Sequence, residues 1–131
     1  NYGAIRGLHM QLPPYSQAKL VYCVQGRIMD VAVDVRKNSP TFGKSFAIEL
    51  TEENRYQLFV PKGFLHGYSV LSETALVGYK CDDFYNKDSE SGIHPLDKTL
   101  NIDWQIPSGK QLISEKDQQA ISFLELPEII L

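Results

Sequence analysis

The chain has 131 residues and a mass of 14.8 kDa, enough for one domain with a hydrophobic core and too short for two ordinary ones. Hydrophobic residues make up 43% and charged residues 22%, which excludes a disordered tail or a collagen-like repeat. The 13 Lys and Arg against 16 Asp and Glu leave a formal charge of -3 with the signs interleaved, so no basic stripe exists to hold nucleic acid or an anionic membrane.

Arg6-Gly7-Leu8-His9-Met10-Gln11 comes first, with an arginine and a histidine three apart. A histidine titrates near neutral pH and can act as a general base, with nearby cations holding an anionic substrate; the alternative is a structural, hydrogen-bonded imidazole. Lys19 follows at the start of a β-rich run, Lys19 to Val24. Arg27 to Val35 alternates with period two: Met29, Val31, Val33 and Val35 share one face, Ile28, Asp30, Ala32 and Asp34 the other. If both faces are covered, Asp30 points into the interior and needs a cation such as Arg6 or Lys19; otherwise it faces solvent on an edge strand.

Further strands are expected at Ser45 to Leu50, Tyr56 to Val60, Tyr68 to Leu71 and Ala75 to Cys81, separated by turns such as Gln25-Gly26 and Pro61-Lys62-Gly63. This punctuation predicts an all-β sandwich or barrel. Pro61-Lys62-Gly63-Phe64-Leu65-His66 resembles the second histidine motif of the cupin barrels. The three histidines, His9, His66 and His94, include no pair two apart, so no metal site is expected. Tyr79 shares a face with Ala75 and Val77, which suits either a core tyrosine or a phenol donating a proton into a pocket.

Asp82 to Pro107 is polar and rich in turn residues, with one brief strand expected around Thr99 to Trp104. Its aromatic pair Phe84-Tyr85 could stack on a planar base or anchor the loop by packing. A short helix is expected from Ser114 to Ala120. Within it Asp117 sits three residues after Ser114, as a capping arrangement requires, or else reaches a histidine and fixes its tautomer.

The longest apolar runs, such as Val31 to Val33 and Ile129 to Leu131, fall far below the ~18 residues of a membrane span, and a cytoplasmic protein is expected. Cys23 and Cys81 are expected to be buried, reduced, mid-strand thiols. The chain starts at Asn1 and runs almost at once into candidate site residues, so a preceding N-terminal segment is expected.

In one unbroken order, Ile5-Arg6-Gly7-Leu8-His9-Met10-Gln11, Gln17-Ala18-Lys19-Leu20-Val21, Met29 to Arg36, Ser39-Pro40-Thr41-Phe42-Gly43, Pro61 to Gly67, Gly78-Tyr79-Lys80 and Ser114-Glu115-Lys116-Asp117 strongly resemble the dTDP-4-dehydrorhamnose 3,5-epimerase family. The resemblance implies a cupin-type jelly roll, or double-stranded β-helix, with a short C-terminal helix, a homodimeric assembly and neither metal nor cofactor. It implies a dTDP-4-keto-6-deoxy sugar as substrate, inverted at C3 and C5. By the same resemblance His9 is the base and Asp117 orients it, Lys19 stabilises the enolate, and Tyr79 reprotonates the opposite face. Arg6 and His66 hold sugar and diphosphate, Glu90 and Lys116 bind substrate, Tyr85 stacks on thymine, and Asp30 partners the cations. Two departures stand out. The family's N-terminal segment, which supplies an Arg and a Glu to the nucleotide and pairs across the dimer, is not in these 131 residues. His94-Pro95 stands where the family has a tryptophan-containing turn.

Relatives that invert only C3 or only C5 share the same base and acid. The sugar 3,4-ketoisomerases are disfavoured by the R-G-L-H run and the S-x-K-D ending, and a cupin that only binds nucleotide sugars is the non-enzymatic alternative.

Overall fold

In a computed structural model describing all 131 residues, nine strands run in the order β1 (Ala4–Gln11), β2 (Lys19–Gln25), β3 (Arg27–Asp34), β4 (Ser45–Thr51), β5 (Gln57–Val60), β6 (Phe64–Val70), β7 (Leu76–Cys81), β8 (Glu90–Gly92) and β9 (Leu112–Ile113). One short helix follows, α1 (Glu115–Gln118). Strands β4, β3, β6, β1 and β8 form one sheet in that order, extended where β9 pairs with β1, and β5, β2 and β7 form a second. Every pair is antiparallel except β1 with β9. The two sheets face each other as a jelly roll.

The alternation in β3 sorts its residues between two cores. Met29, Val31, Val33 and Val35 join Ile5, Leu8, Met10, Leu65 and Trp104 in a core on the outer face of the larger sheet. Ile28 and Ala32 meet Val21, Cys23, Leu50 and Val60 in the core between the sheets. Because β3 lies between β4 and β6, Asp30 cannot sit on an edge; it is fully buried on the inner face.

Strand β1 needs a device to bring its charged residues to one face. Strict alternation would set Arg6 and His9, three apart, on opposite faces. A register shift between them turns Leu8 into the outer core and returns His9 to the face of Arg6. Gly7 sits in the bulge at φ 126°, a conformation that favours glycine, and a Cβ there would come within 2.7 Å of Gly67 Cα on β6.

Strand β6 begins at Phe64, four residues earlier than the sequence suggests, so His66 is a central strand residue. No strand forms over Thr99 to Trp104. Asn101 and Gln105 take positive φ values of 48° and 59°, which break an extended run. Leu100 and Trp104 instead plug the outer core. The Trp104 indole N–H donates to the Pro95 carbonyl at 2.8 Å, and Ser69 Oγ donates to the Trp104 carbonyl at 2.7 Å. The His94-Pro95 segment is therefore fastened to the rear of the sheet by this tryptophan. Cys23 is buried as expected, whereas Cys81, at the end of β7, is exposed because that strand closes at the barrel mouth.

Asp34 ends β3 and organises the turn beyond it. Its carboxylate accepts from the Arg36 backbone N–H, Nε and Nη2 at 2.9–3.0 Å, and from the Ser39 and Thr41 hydroxyls at 2.5 Å each. These donors outweigh burial and hold the carboxyl well below the usual carboxylate range. Asp34→Asn should cost about 2 kcal/mol at neutral pH, the scale of a hydrogen bond to a charged group. A lowered folded-state pKa stabilises above the unfolded value of about 4 and is lost as pH falls toward the folded value. The melting temperatures of the native and Asn proteins, followed from pH 7 into acid, should therefore converge only below pH about 4.

Candidate active site

The mouth between the two sheets is built from both. Alternation in β2 sets Lys19 on the face of Val21 and Cys23, and the β2–β7 register opposes Val21 with Tyr79 and Lys19 with Cys81. Lys19 Nζ lies 5.9 Å from the centre of the Tyr79 ring. Across from them, β1 contributes Arg6 and His9 and β6 contributes His66. Tyr79 is 62% exposed at the rim, so its phenol is open to the mouth and is not a core tyrosine.

His9 is held by a carboxylate 108 residues away. Asp117 Oδ1 accepts from His9 Nε2 at 2.6 Å, and Asp117 Oδ2 accepts from the Gly7 N–H at 3.2 Å. Asp117 itself is 4% exposed, and its backbone N–H donates to Ser114 Oγ, so the capping arrangement read from the sequence and the reach to a histidine both occur. With Nε2–H given to the carboxylate, Nδ1 carries the lone pair. On the other side Gly92 of β8 is the register partner of His9. A Cβ on Gly92 would meet the Leu8 carbonyl oxygen at 2.7 Å and His9 Cδ2 at 3.3 Å, so glycine leaves room for both the ladder and the ring.

A second His–Asp pair lies deeper. His66 Nε2 is 2.6 Å from Asp30 Oδ1, and both residues are buried. The expected pairing of Asp30 with Arg6 or Lys19 is thus replaced by a neighbour on the adjoining strand. The β3–β6 register opposes Ala32 with His66 and Asp30 with Tyr68, which leaves Asp30 and His66 diagonal on one face and within reach. Asp30 Oδ2 has no hydrogen-bond partner, and Lys19 acts on the carboxylate through space. Burial pushes the Lys19 ammonium below its ordinary value; Cys81, Glu90 and Asp30 oppose that effect without cancelling it.

Toward the open edge, Tyr85 donates to Glu90 Oε2 and Lys116 Nζ donates to Glu90 Oε1, each at 2.5 Å. The hydrogen bond from Lys116, then that from Tyr85, pull the Glu90 carboxyl below its ordinary range. Two adjoining cavities share His9, Tyr85 and Glu90. One, of 390 Å³, runs toward Lys116 and Asp117, and the other, of 280 Å³, toward Lys19 and Tyr79. Arg6, His66 and Asp30 line neither cavity, and Phe84, beside Tyr85, is 88% exposed. No three His, Cys, Asp or Glu side chains converge as metal ligands would.

Sequence reasoning missed Tyr68 and Gly92 and mistook the partner of Asp30. An isolated glycine in a strand pattern is the signal that could have found Gly92. A tyrosine two residues after His66, and so on the same strand face, could have found Tyr68.

A family model for dTDP-4-dehydrorhamnose 3,5-epimerase matches residues 1–125. The chain is 50% identical to a dTDP-4-dehydrorhamnose 3,5-epimerase of Shigella flexneri, covering 94% of this chain and 67% of that protein. A crystal structure of dTDP-4-dehydrorhamnose 3,5-epimerase from Elizabethkingia anophelis is similar at a TM-score of 0.94 and 55% identity, over 95% of this chain and 68% of that one. An epimerase from Legionella pneumophila, solved in complex with dTDP-4-keto-L-rhamnose, is similar at 0.91 and 44%, over 96% and 66%. The chain thus spans about two thirds of the length of these relatives. No helix is long and apolar enough to cross a membrane. On its sequence match and on its cupin jelly-roll fold, the chain belongs to the dTDP-4-dehydrorhamnose 3,5-epimerase family.

Proposed function

We propose that this chain carries the catalytic core of a cofactor-independent epimerase that inverts C3 and C5 of dTDP-4-dehydro-6-deoxy-D-glucose, giving dTDP-4-dehydro-L-rhamnose for dTDP-L-rhamnose synthesis. The observation that supports the reading is an imidazole held by a carboxylate, His9 by Asp117, that lines one cavity with Lys19 and Tyr79 of the opposing sheet. The C4 ketone of such a substrate acidifies the protons on C3 and C5. His9 Nδ1 removes one, the electrons move into the C4 oxygen, and Lys19 stabilises that enolate in a partly desolvated setting where its charge acts most strongly. Tyr79 returns a proton to the opposite face, which inverts the carbon. A ketone already supplies the electron sink, so the chemistry requires no cofactor.

Arg6 and His66 then hold the sugar and diphosphate, with Asp30 fixing the His66 ring by the 2.6 Å contact. Glu90 and Lys116 bind substrate and Tyr85 stacks on thymine, a role suited to a ring that is 65% exposed beside the cavity. The two free thiols suit a reducing cytoplasm, and assembly as a homodimer belongs to the same reading.

Incubated with dTDP-4-keto-6-deoxyglucose in D2O, the protein should introduce deuterium at both C3 and C5, as followed by proton NMR. His9→Ala should abolish both exchanges, and Tyr79→Phe should slow inversion by about 100-fold, the usual scale of a lost general acid. Exchange at one carbon alone would make it a mono-epimerase; none at either would leave a protein that only binds. At the outer end, Lys116→Met should raise the Glu90 carboxyl toward its ordinary value, read from the pH dependence of its carboxyl carbon resonance.

A further inference from the structure

One side chain at the inner end of the mouth has no part in that mechanism. Tyr68 stands on β6 with Arg6 of β1 and Asp30 of β3 as its register partners on either side. It packs against the core between the sheets, and its ring centre lies 6.3 Å from that of His66. The charges on Arg6 and Asp30 both act on its phenol, so the ring belongs to the same cluster as the groups of the site. His66 Nε2 is taken by Asp30 Oδ1, and the Tyr68 hydroxyl has no hydrogen bond in the protein. A half-buried phenol of this kind takes a partner when the space beside it fills. Burial raises its pKa above the ordinary tyrosine value, so it is a donor throughout the neutral range.

The position also says which part of a ligand it meets. Tyr85, Glu90 and Lys116 occupy the outer edge beside β8, whereas Tyr68 lies inward, between the strands that carry Arg6 and Asp30. We propose that the Tyr68 hydroxyl donates a hydrogen bond to an oxygen of the sugar ring of a bound nucleotide sugar, and that Tyr68 is a specificity-determining residue of this site. The inference rests on the epimerase reading for the identity of that sugar.

Tyr68→Phe keeps the ring in the core and removes only the hydroxyl. In the full-length protein, kcat/KM for dTDP-4-keto-6-deoxyglucose should fall about tenfold, while the dissociation constant for dTDP stays within about twofold. An unchanged kcat/KM overturns the proposal, as does an equal weakening toward dTDP, because a merely structural role would disturb both ends of the site alike. Calorimetry with the unreactive dTDP-glucose separates the two readings. If the native protein exchanges neither proton, the epimerase reading fails, yet a several-fold drop in dTDP-glucose affinity relative to dTDP in the Phe variant still supports the sugar contact. Equal affinity ratios in the two proteins overturn it.

Discussion

The larger sheet is covered on both faces, and that constraint governs everything charged inside it. A carboxylate taken from water without a partner is too costly to keep, so each interior acid is matched to a neighbour, Asp30 by strand register and Asp117 by the placement of α1. Asp30 meets His66 across one strand boundary, and Asp117 meets His9 and the Gly7 N–H where α1 packs beside β1. The same coverage that makes these acids expensive makes their imidazole partners rigid. An imidazole with one nitrogen committed to a buried carboxylate has a defined tautomer and little freedom to turn.

Cations in the mouth follow a different rule. The ion pairs of the site, His9 with Asp117, His66 with Asp30 and Lys116 with Glu90, leave Lys19 and Arg6 out. Lys19 instead has the carboxylates of Glu90 and Asp30 at a distance, and their charge keeps a desolvated ammonium tolerable without occupying it. A positive charge arranged in this way is available to an anion that forms nearby.

Much of this was legible in the residues themselves. The alternation of Arg27 to Val35 told which side chains share a face, because period two is a local property of an extended chain. Both faces proved apolar, and Asp30 went inward. The identity of its partner was not legible, since pairing depends on which strand lies alongside and in which register, and β3 and β6 are joined by no local pattern. The strand expected at Thr99 to Trp104 failed for a related reason: Leu100 and Trp104 are apolar because they fill the outer core from a loop, and alternation alone cannot tell a loop plug from a strand. The spacing of Arg6 and His9 did not show that they share a face, because period two alone would part them and only the bulge at Gly7 reunites them. Glu90 and Lys116 carried no signal singly, and their importance lies in a hydrogen bond between segments 26 residues apart.

Because His9 and the carboxylate that aims it are separated by 108 residues, the site is assembled late in the life of the chain. His9 leaves the ribosome early, and the strands that flank it can pair well before residue 117 has been made. Until then its imidazole lacks the carboxylate that orients it. A chain that ends before Asp117 can therefore own most of the barrel and still leave the His9 ring without the carboxylate that fixes it. A fixed imidazole at this position thus becomes a report that synthesis has passed the last strand.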